Sequence, residues 1–107
     1  MDYPIIDNRR CDRGRTFEVG IMFTNGLVPT EMHLSCKKQK TDETYIFHKT
    51  IGDGVALNDD GYWRCVANTT DTDIAEGTYY YDVTVEKGTS KQTLVKGELQ
   101  ITTGVTE

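Results

Sequence analysis

The chain has 107 residues, of which 36% are hydrophobic and 27% charged, and its formal net charge is −5 at pH 7. This length and this apolar content predict one folded domain over residues 1–107, with residues 1–13 as an irregular or edge segment. The acidic balance argues against nucleic-acid binding, which needs a basic surface, and no apolar run approaches the roughly 20 residues of a membrane span.

Two early strands are predicted by the alternation of apolar with polar or small residues. The apolar positions are Phe17, Val19, Ile21 and Phe23 in the first strand and Met32, Leu34 and Cys36 in the second. This period of two is typical of a strand with one face in a core and one face in water. Asn25-Gly26 predicts a turn between the two strands. His33 falls on the polar phase of the second strand, so we expect its side chain to face solvent.

A further strand is predicted over residues 62–67, after a charged hairpin tip at 37–43 and turns at 52–54 and 58–61. Its inward residues are expected to be Trp63, Cys65 and Ala67, and its outward residues Tyr62, Arg64 and Val66.

The most regular alternation of the chain lies between residues 77 and 86. Bulky residues fall at Tyr79, Tyr81, Val83 and Val85, between the more polar Tyr80, Asp82, Thr84 and Glu86. The preceding corner, residues 68–76, is polar, and we expect one helical turn around 72–75. A corner followed by Gly-x-Tyr predicts that the Tyr79 hydroxyl binds the backbone of that corner. A last strand carries Val95, Leu99 and Ile101 on one face.

The number and spacing of these elements predict an all-β fold. Seven or so strands, with turn signals about every ten residues, favour a β-sandwich. A closed β-barrel would produce a similar pattern and is the alternative.

The cysteines and the first residues bear on the redox compartment. Cys11, Cys36 and Cys65 are odd in number and lack metal-ligand spacing, which favours buried free thiols in a protein made in a reducing cytosol. A pairing of Cys36 with Cys65 across two sheets is the alternative. The opening Met1-Asp2-Tyr3-Pro4 lacks the basic start and the apolar run of a signal peptide.

Short landmarks follow one another in order along residues 10–106. They are Arg13-Gly14-Arg15-Thr16-Phe17, Asn25-Gly26-Leu27-Val28-Pro29, Gly52-Asp53-Gly54, the corner and strand from Asp71 to Val83, Gly97-Glu98-Leu99-Gln100-Ile101-Thr102 and Val105-Thr106. Together they resemble the immunoglobulin-like domains of tailed bacteriophages, notably the N-terminal domain family of the baseplate upper protein. Arg15 departs from the family pattern, because an acidic residue is usual there. The resemblance implies an immunoglobulin-like β-sandwich of about seven antiparallel strands.

The same resemblance implies a function in assembly. It points to a non-catalytic bacteriophage or prophage structural protein of the tail, the baseplate or a head-attached appendage. Such a protein is made in the cytoplasm of the bacterial host and is located in the virion. Its partners would be other phage structural proteins or further copies of itself, and neither nucleic acid nor a membrane.

The residues give little support for a catalytic site or a metal site. The only histidines are His33 and His48, and no Gly-x-Ser-x-Gly elbow is present, so we expect no enzyme and no catalytic residue. The acidic turns at residues 53, 59–60 and 71–73 lack the spacing of a calcium loop, and turn formation explains them better. We therefore expect no metal and no cofactor.

A set of outward residues on the late strands is the candidate interface. It consists of Tyr62, Arg64, Val66 and Tyr80. Tyr and Arg anchor many protein interfaces, although an ordinary polar sheet face would look the same. The alternative function is a carbohydrate- or cell-surface-binding module, in which Tyr80, Asp82 and Asn68 would hold a sugar. A bacterial adhesin fragment is a third reading, against which the missing signal peptide weighs.

Overall fold

The fold is known from a computed structural model, which describes residues 5–23 and 28–103. The described strands are β1 (Ile5–Ile6), β2 (Arg9–Asp12), β3 (Phe17–Ile21), β4 (Glu31–Lys37), β5 (Phe47–Ile51), β6 (Gly54–Leu57), β7 (Trp63–Ala67), β8 (Gly77–Lys87) and β9 (Ser90–Thr102). The predicted Asn25-Gly26 turn and the Val105-Thr106 landmark lie outside the described residues. The described part contains no helix of the length and apolarity that crossing a membrane requires.

The strands form a continuous hydrogen-bonded path that folds over into two layers. The path runs β1-β9-β8-β4-β5-β6-β7-β3, and β2 also pairs with β9. Although β3 and β8 lie far apart on this path, the rings of Phe17 and Tyr81 meet edge to face, with centroids 5.2 Å apart. We call β1, β2, β9, β8, β4 and β5 the front sheet and β6, β7 and β3 the back sheet. The predicted immunoglobulin-like β-sandwich is confirmed.

The sandwich stops short of a closed barrel at the edge between β2 and β3. A side chain spans this edge, because the Arg9 guanidinium donates from Nη2 to the Glu18 carbonyl oxygen at 2.8 Å. No backbone ladder joins β2 to β3 among the strands given above. The barrel that the sequence pattern left open is therefore not the fold.

The core lies between the two sheets and contains most of the side chains that the alternation predicted, while Ile21, Phe23 and Trp63 are half-buried and pack against it. From the front sheet come Met32, Leu34, Cys36, Tyr79, Tyr81, Val83, Val85, Leu99 and Ile101, and from the back sheet Phe17, Val19, Val55, Cys65 and Ala67. All three cysteines are free and buried, and burial raises the pKa of Cys36 and of Cys65 to about 12. Ser35 is also buried, although its position on β4 is in the polar phase.

A β-bulge in the front sheet adds one core residue that the alternation does not predict. Val83 pairs with Val95 and Thr84 with Thr93, so Leu94 is the extra residue between them. An extra residue breaks the two-residue period, and as a result Leu94 and Val95 are both buried.

Strand number and direction differ from the prediction of about seven antiparallel strands. Nine strands are described, and β1 and β2 run parallel to β9, in the register Ile5↔Val95 and Cys11↔Ile101. The short β5–β6 pairing is also parallel. β1 and β2 can run parallel to β9 because most of the chain lies between them and β9, and parallel strands need a long connection. Strands joined by a tight hairpin must be antiparallel.

The corner before β8 is held by two hydroxyl groups. The Tyr79 hydroxyl donates to the carbonyl oxygen of Ala75 at 2.8 Å, which confirms the predicted tyrosine corner. Thr72 is fully buried and donates from Oγ1 to the Arg15 carbonyl oxygen at 2.6 Å. The expected helical turn at 72–75 is not present: the bonds of helical type lie earlier in the corner, from Thr72 N to Asn68 O and from Asp73 N to Thr70 O.

Candidate functional site

The outer face of the front sheet carries a groove of about 950 Å³. Backbone register builds its floor, because residues directly opposite one another in neighbouring strands share a face. Ser35 on β4 pairs with His48 on β5 and with Asp82 on β8, and Asp82 pairs with Lys96 on β9. These four side chains therefore form one polar row across four strands.

A stack of three rings lines the β5 side of the groove. The rings of His33 and His48 are stacked with centroids 5.0 Å apart, and the Tyr45 ring lies 4.4 Å from His48. Ser35 Oγ is 2.8 Å from His48 Nδ1, and His33 Nε2 is 3.4 Å from a carboxylate oxygen of Glu86. The stack holds both imidazoles in a fixed orientation on the sheet.

The expectation that His33 faces solvent is confirmed for the direction of its side chain and wrong for the extent of its exposure. Its side chain does point away from the core, but it is only 20% exposed, because His48 covers one ring face and Glu86 reaches its Nε2 atom. His33 Nδ1 is buried without a hydrogen-bond partner among the described residues. The alternation along a strand predicts on which side of the sheet a side chain lies, but not how much of that side chain its neighbours cover.

Burial shifts the titration of two groups in the groove. Partial burial lowers the pKa of His48, and the charge of His33 lowers it further, while Asp82 and Asp53 oppose the shift. Burial raises the pKa of Asp82, against the opposing charges of Lys37, His48 and His33. Both shifts have the same physical origin, since each group loses water when it packs on the sheet.

Two lysines at the β4 end of the groove lie over tyrosine rings. Lys37 Nζ is 5.1 Å from the centroid of the Tyr45 ring, and Lys40 Nζ is 5.1 Å from that of Tyr80. Both distances are within the range of a cation–π contact. The ammonium groups are thereby positioned at the rim of the groove.

The Ser35–His48 contact does not form an acyl-transfer site. Ser35 is only 8% exposed, and β4 is paired along its length with β5 on one side and β8 on the other. The backbone N–H groups of β4 are therefore used in hydrogen bonds to β5 and β8, whereas an oxyanion hole needs N–H donors that are free to bind the reacting oxygen. The geometry suits a hydrogen-bonded pair that orients His48.

The structure places the four predicted interface residues on two opposite faces. Tyr62, Arg64 and Val66 belong to the outer face of the back sheet, next to β3, whereas Tyr80 lines the groove of the front sheet. All four point away from the core, as expected, but they do not form one surface. Arg64 Nε is 2.5 Å from a Glu18 carboxylate oxygen, and that contact lowers the pKa of Glu18.

The acidic turn at residues 71–73 is engaged in contacts within the fold. Asp71 Oδ2 is 2.8 Å from Lys49 Nζ and accepts a hydrogen bond from the Asn68 N–H. Asp73 pairs with Arg13 at 2.9 Å. Within residues 5–23 and 28–103 no three His, Cys, Asp or Glu side chains are grouped to hold a metal ion.

Several groove residues were not expected from the sequence to be part of a site, among them His48, Tyr45, Lys37, Lys40 and Lys96. One signal could have found His48. The charged tip at 37–43 is a hairpin, and a hairpin brings residues from its two arms side by side, so His48 had to lie near Ser35. Lys96 could not be found in this way, because the extra residue Leu94 shifts the register of β9 against β8 and so brings Lys96 opposite Asp82.

Comparison with known proteins shows only that the backbone follows a path similar to that of some solved structures. No family model and no curated protein matches the chain. Among solved structures it is similar to Tim-1, with a TM-score of 0.49 and 9% identity, covering 100% of this chain and 99% of that one. It is similar to the extracellular domain of the voltage-gated sodium channel beta4 subunit, solved as parallel homodimers, with a TM-score of 0.48, 8% identity and 98% of each chain covered.

A third similar structure is the first immunoglobulin-like domain of human CD48 antigen. The TM-score is 0.36 and the identity 15%, with 98% of this chain and 87% of that chain covered. At these values the three similarities carry no information about what this chain binds.

Proposed function

We propose that this chain is a non-catalytic structural protein of a bacteriophage or prophage particle, and that it binds a neighbouring protein of the particle, or another copy of itself, through the groove of the front sheet. It is made in the cytoplasm of the bacterial host and acts in the virion. The phage context is supported by the ordered sequence landmarks. The binding surface is supported by one observation, the concave row of aromatic, histidine and lysine side chains on a rigid sheet.

The groove has the composition of a contact surface. Tyr45 is 45% exposed, and Tyr80 and the two histidines are partly exposed beside it. Aromatic side chains give a large contact area and lose little conformational entropy on binding. The stacked rings and the Ser35–His48 contact fix the imidazoles before a partner arrives, so little further ordering is needed.

The outer face of the back sheet is less suited to binding. Its one large cation, Arg64, already pairs with Glu18, and the Tyr62 ring lies against the backbone at Gly20. A partner would have to break these contacts to use the side chains. We therefore place the contact surface on the front sheet and treat the back sheet as a matched control.

The test is co-purification with the products of neighbouring genes. Genes for portal, capsid or tape-measure proteins beside this gene are expected, and at least one product should bind the purified chain. Tyr80→Ser should weaken that binding, while Tyr62→Ser, which removes a half-buried tyrosine from the opposite face, should leave it unchanged. If Tyr62→Ser abolishes binding and Tyr80→Ser does not, the groove is not the contact surface. A gene far from any phage gene would contradict the phage context.

Sugar binding, the alternative function, has less support from the geometry. Asn68 lies in the corner, where its side-chain oxygen accepts a hydrogen bond from the Asp71 N–H, and it does not line the groove that holds Tyr80 and Asp82. The Lys40 ammonium also lies over the Tyr80 ring, where a sugar would stack. Binding on a glycan array that Tyr80→Ala abolishes would favour the alternative.

A further inference from the structure

We infer that the partner enters this groove with an acidic protein segment, whose carboxylates meet Lys37 and Lys40. This inference rests on the proposed function, because it names the chemistry of the partner at the same surface. The first observation is the distribution of charge. Of the 12 cationic residues of the chain, Lys37, Lys40, Lys91 and Lys96 line the groove, but of the 17 acidic residues only Asp82, Glu86 and Glu98 do so. The groove lining thus has one more cationic than acidic side chain, whereas the molecule as a whole is acidic.

The second observation is that these lysines form no ion pair within residues 5–23 and 28–103. The ion pairs of the described residues engage Arg9, Arg13, Arg64, Lys49 and His33, and none of the groove lysines. In the arginine-rich N-terminal segment, by contrast, Arg9 pairs with Asp7 and Arg13 with Asp73. The groove lysines therefore have charge to offer a partner.

The third observation is that two of the ammonium groups are held in position. Lys37 and Lys40 lie over the rings of Tyr45 and Tyr80, which limits the freedom of two long side chains. A cation that is already positioned loses less entropy when a carboxylate binds it. The same placement covers one face of each ring, and this disfavours a stacked sugar and favours an anion that binds at the rim.

The three acidic groups of the groove form no ion pair with Lys37 or Lys40 among the described residues. Glu86 is at the far end and pairs with His33. Asp82 lies in the floor, where burial raises its pKa and the charges of Lys37 and both histidines partly offset that rise. Glu98 is exposed on β9, opposite Tyr80, its partner in the ladder.

The experiment titrates the whole chain with a short Glu-Ser repeat peptide, and separately with the Gln-Ser peptide of the same length, and follows backbone amide signals by NMR. The amides of residues 33–37, 45–48 and 80–84 should shift with the Glu-Ser peptide and not with the Gln-Ser peptide. The shifts should weaken as salt is added, because exposed ion pairs are screened.

Two variants of equal charge make the result specific. Lys37→Gln combined with Lys40→Gln should lower the affinity about tenfold, the effect of losing two partly exposed ion pairs. Lys38→Gln combined with Lys87→Gln removes the same charge outside the groove and should change the affinity less than about twofold. An equal loss of affinity in both variants would show that the peptide responds to the net charge of the protein and not to the groove, and it would overturn the inference.

Failure of this inference can be told apart from failure of the proposed function. If the Glu-Ser peptide moves no groove amide while Tyr80→Ser still weakens binding to a neighbouring gene product, the acidic chemistry is wrong and the contact surface stands. If the groove amides shift with protein concentration alone and not with peptide, the occupant is another copy and the inference is overturned. If Tyr80→Ser has no effect on that binding, the proposed function itself fails.

Discussion

The Tyr81 hydroxyl donates a hydrogen bond to the carbonyl oxygen of Asp7, 2.6 Å away, and so joins the N-terminal segment to the centre of the front sheet. Burial, together with the nearby Asp7 carboxylate, raises the pKa of Tyr81, so that the hydroxyl keeps its proton and remains a donor. Gly97 lies at the same point on β9, and a Cβ atom there would overlap the Asp7 carbonyl group. The N-terminal strands can approach β9 only because residue 97 has no side chain.

Gly97→Ala should therefore detach β1 and β2 from β9. The obstructing atoms are backbone and cannot move aside alone, so we expect a loss of about 1–3 kcal/mol in the free energy of unfolding. Urea unfolding measures the loss, and amide exchange at Arg9–Asp12 locates it. Gly20→Ala is the control, because the nearest atoms there belong to the Tyr62 ring, which can shift, and its cost should stay within about 0.5 kcal/mol. Equal costs for both variants would contradict this explanation.

Thr72 tests the hydroxyl that joins the corner to the turn at Arg15. Thr72→Val keeps the shape of the side chain but leaves the Arg15 carbonyl without its 2.6 Å donor, so we expect a loss of about 1–3 kcal/mol. Thr72→Ser keeps the hydroxyl and removes one methyl group, which should cost about 1 kcal/mol. Thermal and urea unfolding of the two variants give the comparison. A more stable Val variant than Ser variant would show that the hydrogen bond does not matter.

The hydroxyl of the tyrosine corner gives a third stability prediction. Tyr79→Phe removes the donor to Ala75 while the ring stays in the core, and it should lower the free energy of unfolding by about 0.5–1.5 kcal/mol. Tyr80→Phe is the neighbouring control, since the Tyr80 hydroxyl makes no hydrogen bond within residues 5–23 and 28–103, and its effect should stay below about 0.5 kcal/mol. Chemical unfolding followed by fluorescence of Trp63 measures both. No difference between the variants would contradict the role of the corner.

Acidification should weaken the fold through His48. Its pKa in the folded chain is below the ordinary value of 6.5, so the unfolded chain binds the proton more readily as the pH falls through that value. The free energy of unfolding should then decrease from pH 6.5 downward until the folded-state pKa is reached. His48→Gln should flatten this part of the profile. An unchanged slope in the variant would assign the pH dependence to another group.

Asp82 should act with the opposite sign. Its pKa in the folded chain is above the ordinary value of 3.8, so its contribution to stability is present below pH 3.8 and is lost as the pH rises through the folded-state pKa. Asp82→Asn removes the buried charge and should raise the free energy of unfolding at neutral pH. Urea unfolding at pH 7 and at acid pH tests this, and a variant that is less stable at neutral pH would contradict it.

The core could be predicted because alternation along a strand is a local property of the backbone. Bulky groups at every second residue of β3, β4 and β8 must share a face whatever the strands pair with, and most of those side chains are buried, while Ile21 at the end of β3 is half-buried. The Gly-x-Tyr corner is equally local, since Tyr79 and Ala75 are four residues apart.

The groove, the parallel N-terminal strands and the division of the candidate interface depend on which strands become neighbours. His48, Ser35, Asp82 and Lys96 form a row only through the register of four strands, and Tyr62 and Tyr80 lie on opposite faces only because β7 and β8 belong to different sheets. Pairing of this kind is set by the packing of the whole domain. The missing side chain at Gly97 lets the N-terminal segment approach β9, and the extra residue Leu94 changes which residues of β8 and β9 lie opposite each other.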